Sequence, residues 1–236
     1  MGVSNLTIHD EAKIEIDDIH FSPQNKTALT RLLKEFKHIE ALSKYDLVVD
    51  NKILLYGHTG CGKTTTAKAI AKHINKKIYI LDLSMIVSSR LGETSKNVAT
   101  VFKKAAQEKA VLFIDEFDYL GSSRSLNQKD SAEMQRLVNS IIQLIDYYPN
   151  DALLIAATNY SNAIDTALLR RFQLKLKFEL PTKEELNTYY DSLLARFPKE
   201  YHQFARAFDI SYAEAKDRLQ QAIKAQIILE EENKQK

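Results

Sequence analysis

Residues 57–65 read Gly-His-Thr-Gly-Cys-Gly-Lys-Thr-Thr, the spacing G-x-x-x-x-G-K-[ST]. Each fixed residue type has a chemical reason. Glycines let successive backbone N–H groups turn inward around phosphate oxygens, and the start of the following helix adds partial positive charge. Lys63 predicts contact with the β- and γ-phosphates, and the Thr64 hydroxyl predicts a ligand for Mg²⁺. Gly57, Thr59, Gly60, Cys61, Gly62, Lys63, Thr64 and Thr65 are therefore the candidate phosphate-binding residues. At background frequencies this pattern arises by chance in roughly one chain in a hundred. His58 and Cys61 fill variable positions of the loop, since no second Cys or His lies at metal-ligand spacing.

Two further runs could complete such a site. Val111–Asp118, VLFIDEFD, ends an apolar run in a pair of carboxylates. Asp115 is placed to hold Mg²⁺ beside Thr64, and Glu116 to deprotonate an attacking water. Asp118 reads as a structural or surface acid. The run 152–159, ALLIAATN, ends in Asn159, whose amide can hold a water or a γ-phosphate. Residues 164–172, IDTALLRRF, follow with Arg170 and Arg171. Paired arginines at a turn can be merely solvated, but a cation supplied in trans is what phosphoryl transfer gains most from, and guanidinium offers a bidentate fork.

The elements that must carry these residues are legible as alternating runs. KILLY (52–56), KIYILDL (77–83), AVLFID (110–115) and ALLIAA (152–157) are nearly continuous in apolar character, as strands covered on both faces are. LKLKFEL (174–180) alternates strictly, which predicts one wet face. Between them Ala67, Ile70, Ala71 and Ile74 fall at helical spacing, as do Val98, Val101, Phe102 and Ala105, and Met134, Leu137, Val138 and Ile141. Strands alternating with helices predict a layered α/β fold. After Pro181 only helical patterns remain, TKEELNTYYDSLLARF and SYAEAKDRLQQAIKAQIIL, the second opened by Ser211 and Glu214 as a capping box. The closing EEENKQK reads as frayed.

With 33 basic and 31 acidic side chains the net charge is +2, no electrostatic footprint for nucleic acid. One cysteine excludes an internal disulfide and fits a reducing compartment. No apolar run approaches a membrane span, and the first residues lack a signal-peptide layout, so the expected location is cytoplasmic.

GHTGCGKTT, VLFIDEFD, AATN and LLRRF, in this order and spacing, resemble the Walker A, Walker B, sensor 1 and arginine-finger elements of AAA+ ATPases. Residues 131–172 resemble the second region of homology of the AAA clade, and the RRF spelling is like that of the katanin and spastin group. The likeness runs from about residue 17 to about residue 229, with the feel of small single-module bacterial or phage AAA proteins. The resemblance implies a P-loop parallel sheet with flanking helices plus a small all-α lid. Its divisions would be a short extension (1–16), a large nucleotide-binding domain (17–181) and the lid (182–236). It implies ATP and Mg²⁺ as cofactors and a homo-oligomeric, usually hexameric, ring in which Arg170 and Arg171 act on the neighbour's nucleotide. Ile16–Ile19, IDDI, is similar to the family segment whose backbone touches adenine, which brings in Asp18 and Ile19. In the lid, Tyr212 and Ala213 stand where other AAA+ proteins carry a sensor 2 arginine, as in the AAA clade, and Arg218 reads as a solvated helix face. Translocating members carry an aromatic, an aliphatic and Gly-Glu in a pore loop. Here Leu91, Gly92 and Glu93 fit, with Arg90 at the gripping position, which leaves two readings: a tolerated substitution, or a pore for acidic segments or one specific partner. Almost nothing precedes residue 16, where many relatives carry a recognition domain.

The leading expectation is an ATP hydrolase that remodels a protein client or partner. Two alternatives are a nucleic-acid-associated loader or regulator, which the near-neutral charge opposes, and a nucleotide-switched scaffold for a separate effector enzyme.

Overall fold

The computed structural model describes residues 14–84, 91–125 and 128–234. Arg90, the expected gripping residue, lies outside them. Two compact units emerge: one is the chain up to Gly57 together with Lys63–Lys177, the other His58–Gly62 with Phe178 onward.

In the first unit, α1 (Pro23–Lys37) and the short α2 (Ile39–Ser43) lead to the sheet. Ser22 caps α1 by accepting from the Asn25 N–H, and Pro23 at the first position spares a donor the helix could not satisfy. The strands are β1 (Lys52–Gly57), β2 (Ile78–Asp82), β3 (Val111–Asp115), β4 (Leu153–Thr158) and β5 (Leu174–Phe178). They are joined by α3 (Lys63–His73), α4 (Leu91–Gln107), α5 (Gln128–Asp146) and α6 (Thr166–Leu169). α4 thus starts at Leu91, seven residues before Val98, the first apolar residue of its helical spacing.

Sheet order is β2-β3-β4-β1-β5, with β1 parallel to β4, β4 to β3 and β3 to β2. The strand after β1 therefore pairs elsewhere, and β1 has β4 as its neighbour. Ligands of parallel α/β sheets gather at the carboxyl ends of the strands beside such a reversal. The register sets what stands there: Asp82 lies opposite Asp115, and Tyr56 opposite Thr158.

Every residue of β4 is buried, and β3 is buried up to Asp115. This is why those runs read as continuous apolar stretches. β5 buries Leu176 and Phe178 and exposes Lys175 and Lys177, as its alternation predicts. One face packs on α4 and α5 through Val98, Val101, Phe102, Met134, Leu137, Val138 and Ile141. Burying each large side chain contributes about 1.5–3 kcal/mol, so this core supplies the main stabilisation of the first unit.

The second unit holds α7 (Lys183–Leu194) and α8 (Tyr212–Lys234). Leu186, Tyr190, Leu193, Leu194, Ala215, Leu219 and Ile223 form its core. The Ser211–Glu214 box is present: the Glu214 carboxylate accepts from the Ser211 N–H and hydroxyl, both at 2.8 Å. A second box, Thr182–Glu185, caps α7. α8 continues to Lys234, and the last two residues of the run EEENKQK lie outside the described residues. Glu, Lys and Gln are strong helix formers, and Lys234 pairs with Glu231 three residues back.

Candidate functional site

β1 delivers the chain to the loop at Gly57, and α3 starts at Lys63, so the strand–loop–helix context is present. Lys63 is buried, with Nζ donating to the Gly57 carbonyl at 2.8 Å. Gly60 and Gly62 have φ of +74° and +98°, a backbone that L side chains adopt only under strain. A Cβ built on Gly62 meets nothing within 4 Å, whereas one on Gly60 falls 2.5 Å from Ser211 Oγ. Gly62 thus faces open space, which leaves its backbone approachable, and Gly60 is a packing glycine. The Gly60 carbonyl accepts the Ala213 N–H at 3.1 Å.

Thr64, in the first turn of α3, donates its hydroxyl to Asp115 Oδ2 at 3.0 Å. The two expected metal-holding residues, 51 positions apart, are therefore brought together. One hydroxyl and one carboxylate suit Mg²⁺, which keeps several of its waters and takes few protein ligands. Glu116 follows with φ of +52°, left-handed backbone for a non-glycine residue and a cost of about 1–3 kcal/mol. The turn is held by the Glu116 N–H on Asp115 Oδ1 at 3.0 Å and by the Tyr119 N–H on the Glu116 carbonyl at 2.9 Å. Burial, then the nearby charges of Asp118, Asp115 and Asp82, push the Glu116 carboxyl above its usual range, with Lys63 opposing. That shift moves a carboxylate toward the proton affinity a general base needs.

Asn159 is half-buried directly after β4. Its N–H donates to Asp118 Oδ1 at 3.2 Å, and the Thr158 hydroxyl donates to the same oxygen at 2.7 Å. Sequence reasoning missed this role for Asp118, because its partners lie about 40 residues downstream.

Arg170 and Arg171 follow α6, whose start Asp165 caps by accepting from the Ala167 N–H. The two arginines differ. Arg171 forks onto Asp146 at the end of α5, Nε to Oδ1 at 2.9 Å and Nη2 to Oδ2 at 3.1 Å, with Nη1 on the Ala167 carbonyl. Arg170 is exposed, and no side-chain partner for it is found among the described residues.

The leading segment folds as a short 3₁₀ turn, Ile16–Asp18, whose Asp18 carboxylate accepts the Glu15 N–H at 3.1 Å. Glu15 pairs with Lys72 of α3 at 2.6 Å, so Asp18 and Ile19 are fastened to the helix that begins at the loop. No helix among the described residues is long and apolar enough to cross a membrane.

Residues 53–180 match the model of the AAA family, "ATPase family associated with various cellular activities". An uncharacterised AAA family ATPase of Sinorhizobium fredii is 34% identical over 90% of this chain and 65% of its own length. The proteasome-activating nucleotidase of Methanopyrus kandleri is 31% identical over 76% of this chain and 43% of its own. The chain thus spans less than two thirds of either relative. The solved FIGL-1 AAA domain superposes with a TM-score of 0.68 at 24% identity, covering 85% of this chain and 67% of that one, a likeness of fold.

Proposed function

We propose that this chain, which belongs to the AAA ATPase family and is an ATP hydrolase, hydrolyses Mg²⁺-bound ATP at the interfaces of a ring of its own copies to remodel a protein partner. Lys63 binds the β- and γ-phosphates from within the loop. Thr64 and Asp115 would hold Mg²⁺, which supplies charge neutralisation at the phosphates. Glu116 takes the proton of the attacking water, and the Asn159 amide holds that water or the γ-phosphate in line. Asp18 and Ile19 lie against the adenine end. Arg170 meets the developing charge on the neighbouring copy's nucleotide.

The observation that carries the ring is the contrast between the two arginines. Arg171 is neutralised within its own chain by Asp146, while the neighbouring Arg170 projects an exposed guanidinium with no described side-chain partner. A cation left bare beside one so well paired is suited to an anion from outside the chain. A protein as the partner is supported by net charge near zero and by a relative named for activating a proteasome. The part of the chain that touches this partner is the 90–91 stretch, Arg90 with Leu91.

ATPase rate per subunit, measured against concentration alongside mass photometry, tests the reading. The rate rises as monomers give way to rings. A flat rate across that range overturns hydrolysis at interfaces.

A further inference from the structure

We propose that Asp118 is a positioning residue that locks Asn159, at the end of β4, to the turn carrying Glu116; this rests on the roles of Glu116 and Asn159 proposed above. Three hydrogen bonds close a small network. The Tyr160 N–H donates to Thr158 Oγ1 at 3.0 Å, the Thr158 hydroxyl donates to Asp118 Oδ1 at 2.7 Å, and the Asn159 N–H donates to that same oxygen at 3.2 Å. Thr158 is 1% exposed, so its hydroxyl must be satisfied inside the protein, and a carboxylate makes the stronger kind of acceptor.

Asp118 cannot drift independently of Glu116. It lies two residues further on, in the 3₁₀ segment Phe117–Ser125. Phe117 and Leu120 on either side of it are buried, and the Tyr119 N–H is tied to the Glu116 carbonyl at 2.9 Å. Gly121 then lies so close to the backbone of Ala163 that a Cβ there would fall 1.8 Å from the Ala163 carbonyl oxygen. The stretch around Asp118 is thus held between Phe117 and Gly121, and its carboxylate accepts from the last residues of β4. A base and an amide that must face one water gain most from fixed separation, since small misplacements are costly in rate. A surface acid would not take two donors from a buried strand end.

Four variants, with Glu116→Gln as control, test this by turnover, by affinity for a fluorescent ATP analogue and by thermal melting. Asp118→Ala lowers kcat by about tenfold or more while nucleotide affinity stays within about threefold. Asp118→Asn recovers most of that loss, because its amide oxygen can accept both bonds. Thr158→Val lowers kcat in part, and the double variant Asp118→Ala/Thr158→Val is no worse than Asp118→Ala alone. A kcat within about twofold of the unaltered protein in Asp118→Ala, while Glu116→Gln is inactive, overturns the inference. So does an Asp118→Asn as impaired as Asp118→Ala, or a loss of kcat wholly matched by loss of folded protein at the assay temperature. Turnover surviving in Glu116→Gln overturns the base assignment itself, and the inference with it.

Discussion

The ring of Phe117 meets the ring of Phe172 edge-on, with centroids 5.5 Å apart and planes at 88°. Phe117 directly follows Glu116, and Phe172 directly follows Arg171. The turn that carries Glu116 and the turn that carries the arginines are therefore packed on one another through a pair of buried aromatics. Phe172→Ala should lower stability by about 3–5 kcal/mol in urea denaturation. A double-mutant cycle with Phe117→Leu and Phe172→Leu should give a coupling of about 0.5–1.5 kcal/mol. Strict additivity would mean the rings do not sense each other.

Arg170 and Arg171 should separate cleanly. Arg170→Ala should lower ATPase activity by about 10³-fold with the melting temperature unchanged, because its exposed guanidinium has no side-chain partner among the described residues. Arg171→Ala and Asp146→Ala should each lower stability by about 1 kcal/mol, since a partly exposed bidentate pair is worth little more. Mixing Arg170→Ala with Glu116→Gln subunits should restore some activity, because an intact arginine then faces an intact base at some interfaces. Failure of any mixture to recover turnover would count against action in trans.

With the proposed roles, Glu116 and Lys63 should act at different steps. Glu116→Gln should retain ATP binding and lose about 10²–10⁴-fold in turnover. Lys63→Ala should bind nucleotide about a hundredfold more weakly, as expected for removal of a buried charge that meets phosphate. Titration of a fluorescent ATP analogue beside steady-state rates distinguishes the two, and equal losses of affinity would sink the assignment of the base.

Much of this was legible in the residues. β3 and β4 could be read because strands buried on both faces must be apolar throughout, and β5 because its exposed Lys175 and Lys177 alternate with Leu176 and Phe178. Thr64 and Asp115 could be paired because loop and strand end impose their chemistry locally. What escaped depends on long-range packing. Asp118 reads as a structural or surface acid, and only the donors Thr158 and Asn159, about 40 residues away, decide for the structural one; nothing in the spelling Arg-Arg tells which of two neighbours faces Asp146.

The second unit should carry a pH signature at its cap. The Glu214 carboxylate accepts first the Ser211 N–H and then its hydroxyl, which holds its pKa below the usual value. Between the folded and unfolded pKa values the unfolded chain binds more protons, so stability rises with pH through that window. The contribution is complete above the unfolded value, about 4.3, and is lost as pH falls through the lower folded value. Glu214→Gln should flatten the acid limb of thermal unfolding followed from about pH 3 to about pH 6. Parallel acid limbs for the two proteins would refute the coupling.

Gly60 and Gly62 should respond to alanine in opposite ways, although both sit in left-handed backbone. A Cβ on Gly60 meets Ser211 Oγ at 2.5 Å, Ser211 Cβ at 3.0 Å and Ala213 Cβ at 3.1 Å. Gly60→Ala must therefore displace Ser211 and disturb the cap of α8, and its cost should appear as lost stability without nucleotide present. Ser211→Ala in the same chain should recover part of it, since the nearest atom met is the hydroxyl oxygen. A Cβ on Gly62 meets nothing within 4 Å, so Gly62→Ala should pay only backbone strain, about 1–3 kcal/mol. Its methyl group would nevertheless occupy the open space through which phosphate would approach in the proposed reading. The rise in melting temperature that ATP and Mg²⁺ give the unaltered protein should vanish in Gly62→Ala and persist in Gly60→Ala. An undiminished ATP-dependent rise in Gly62→Ala would place the phosphates elsewhere.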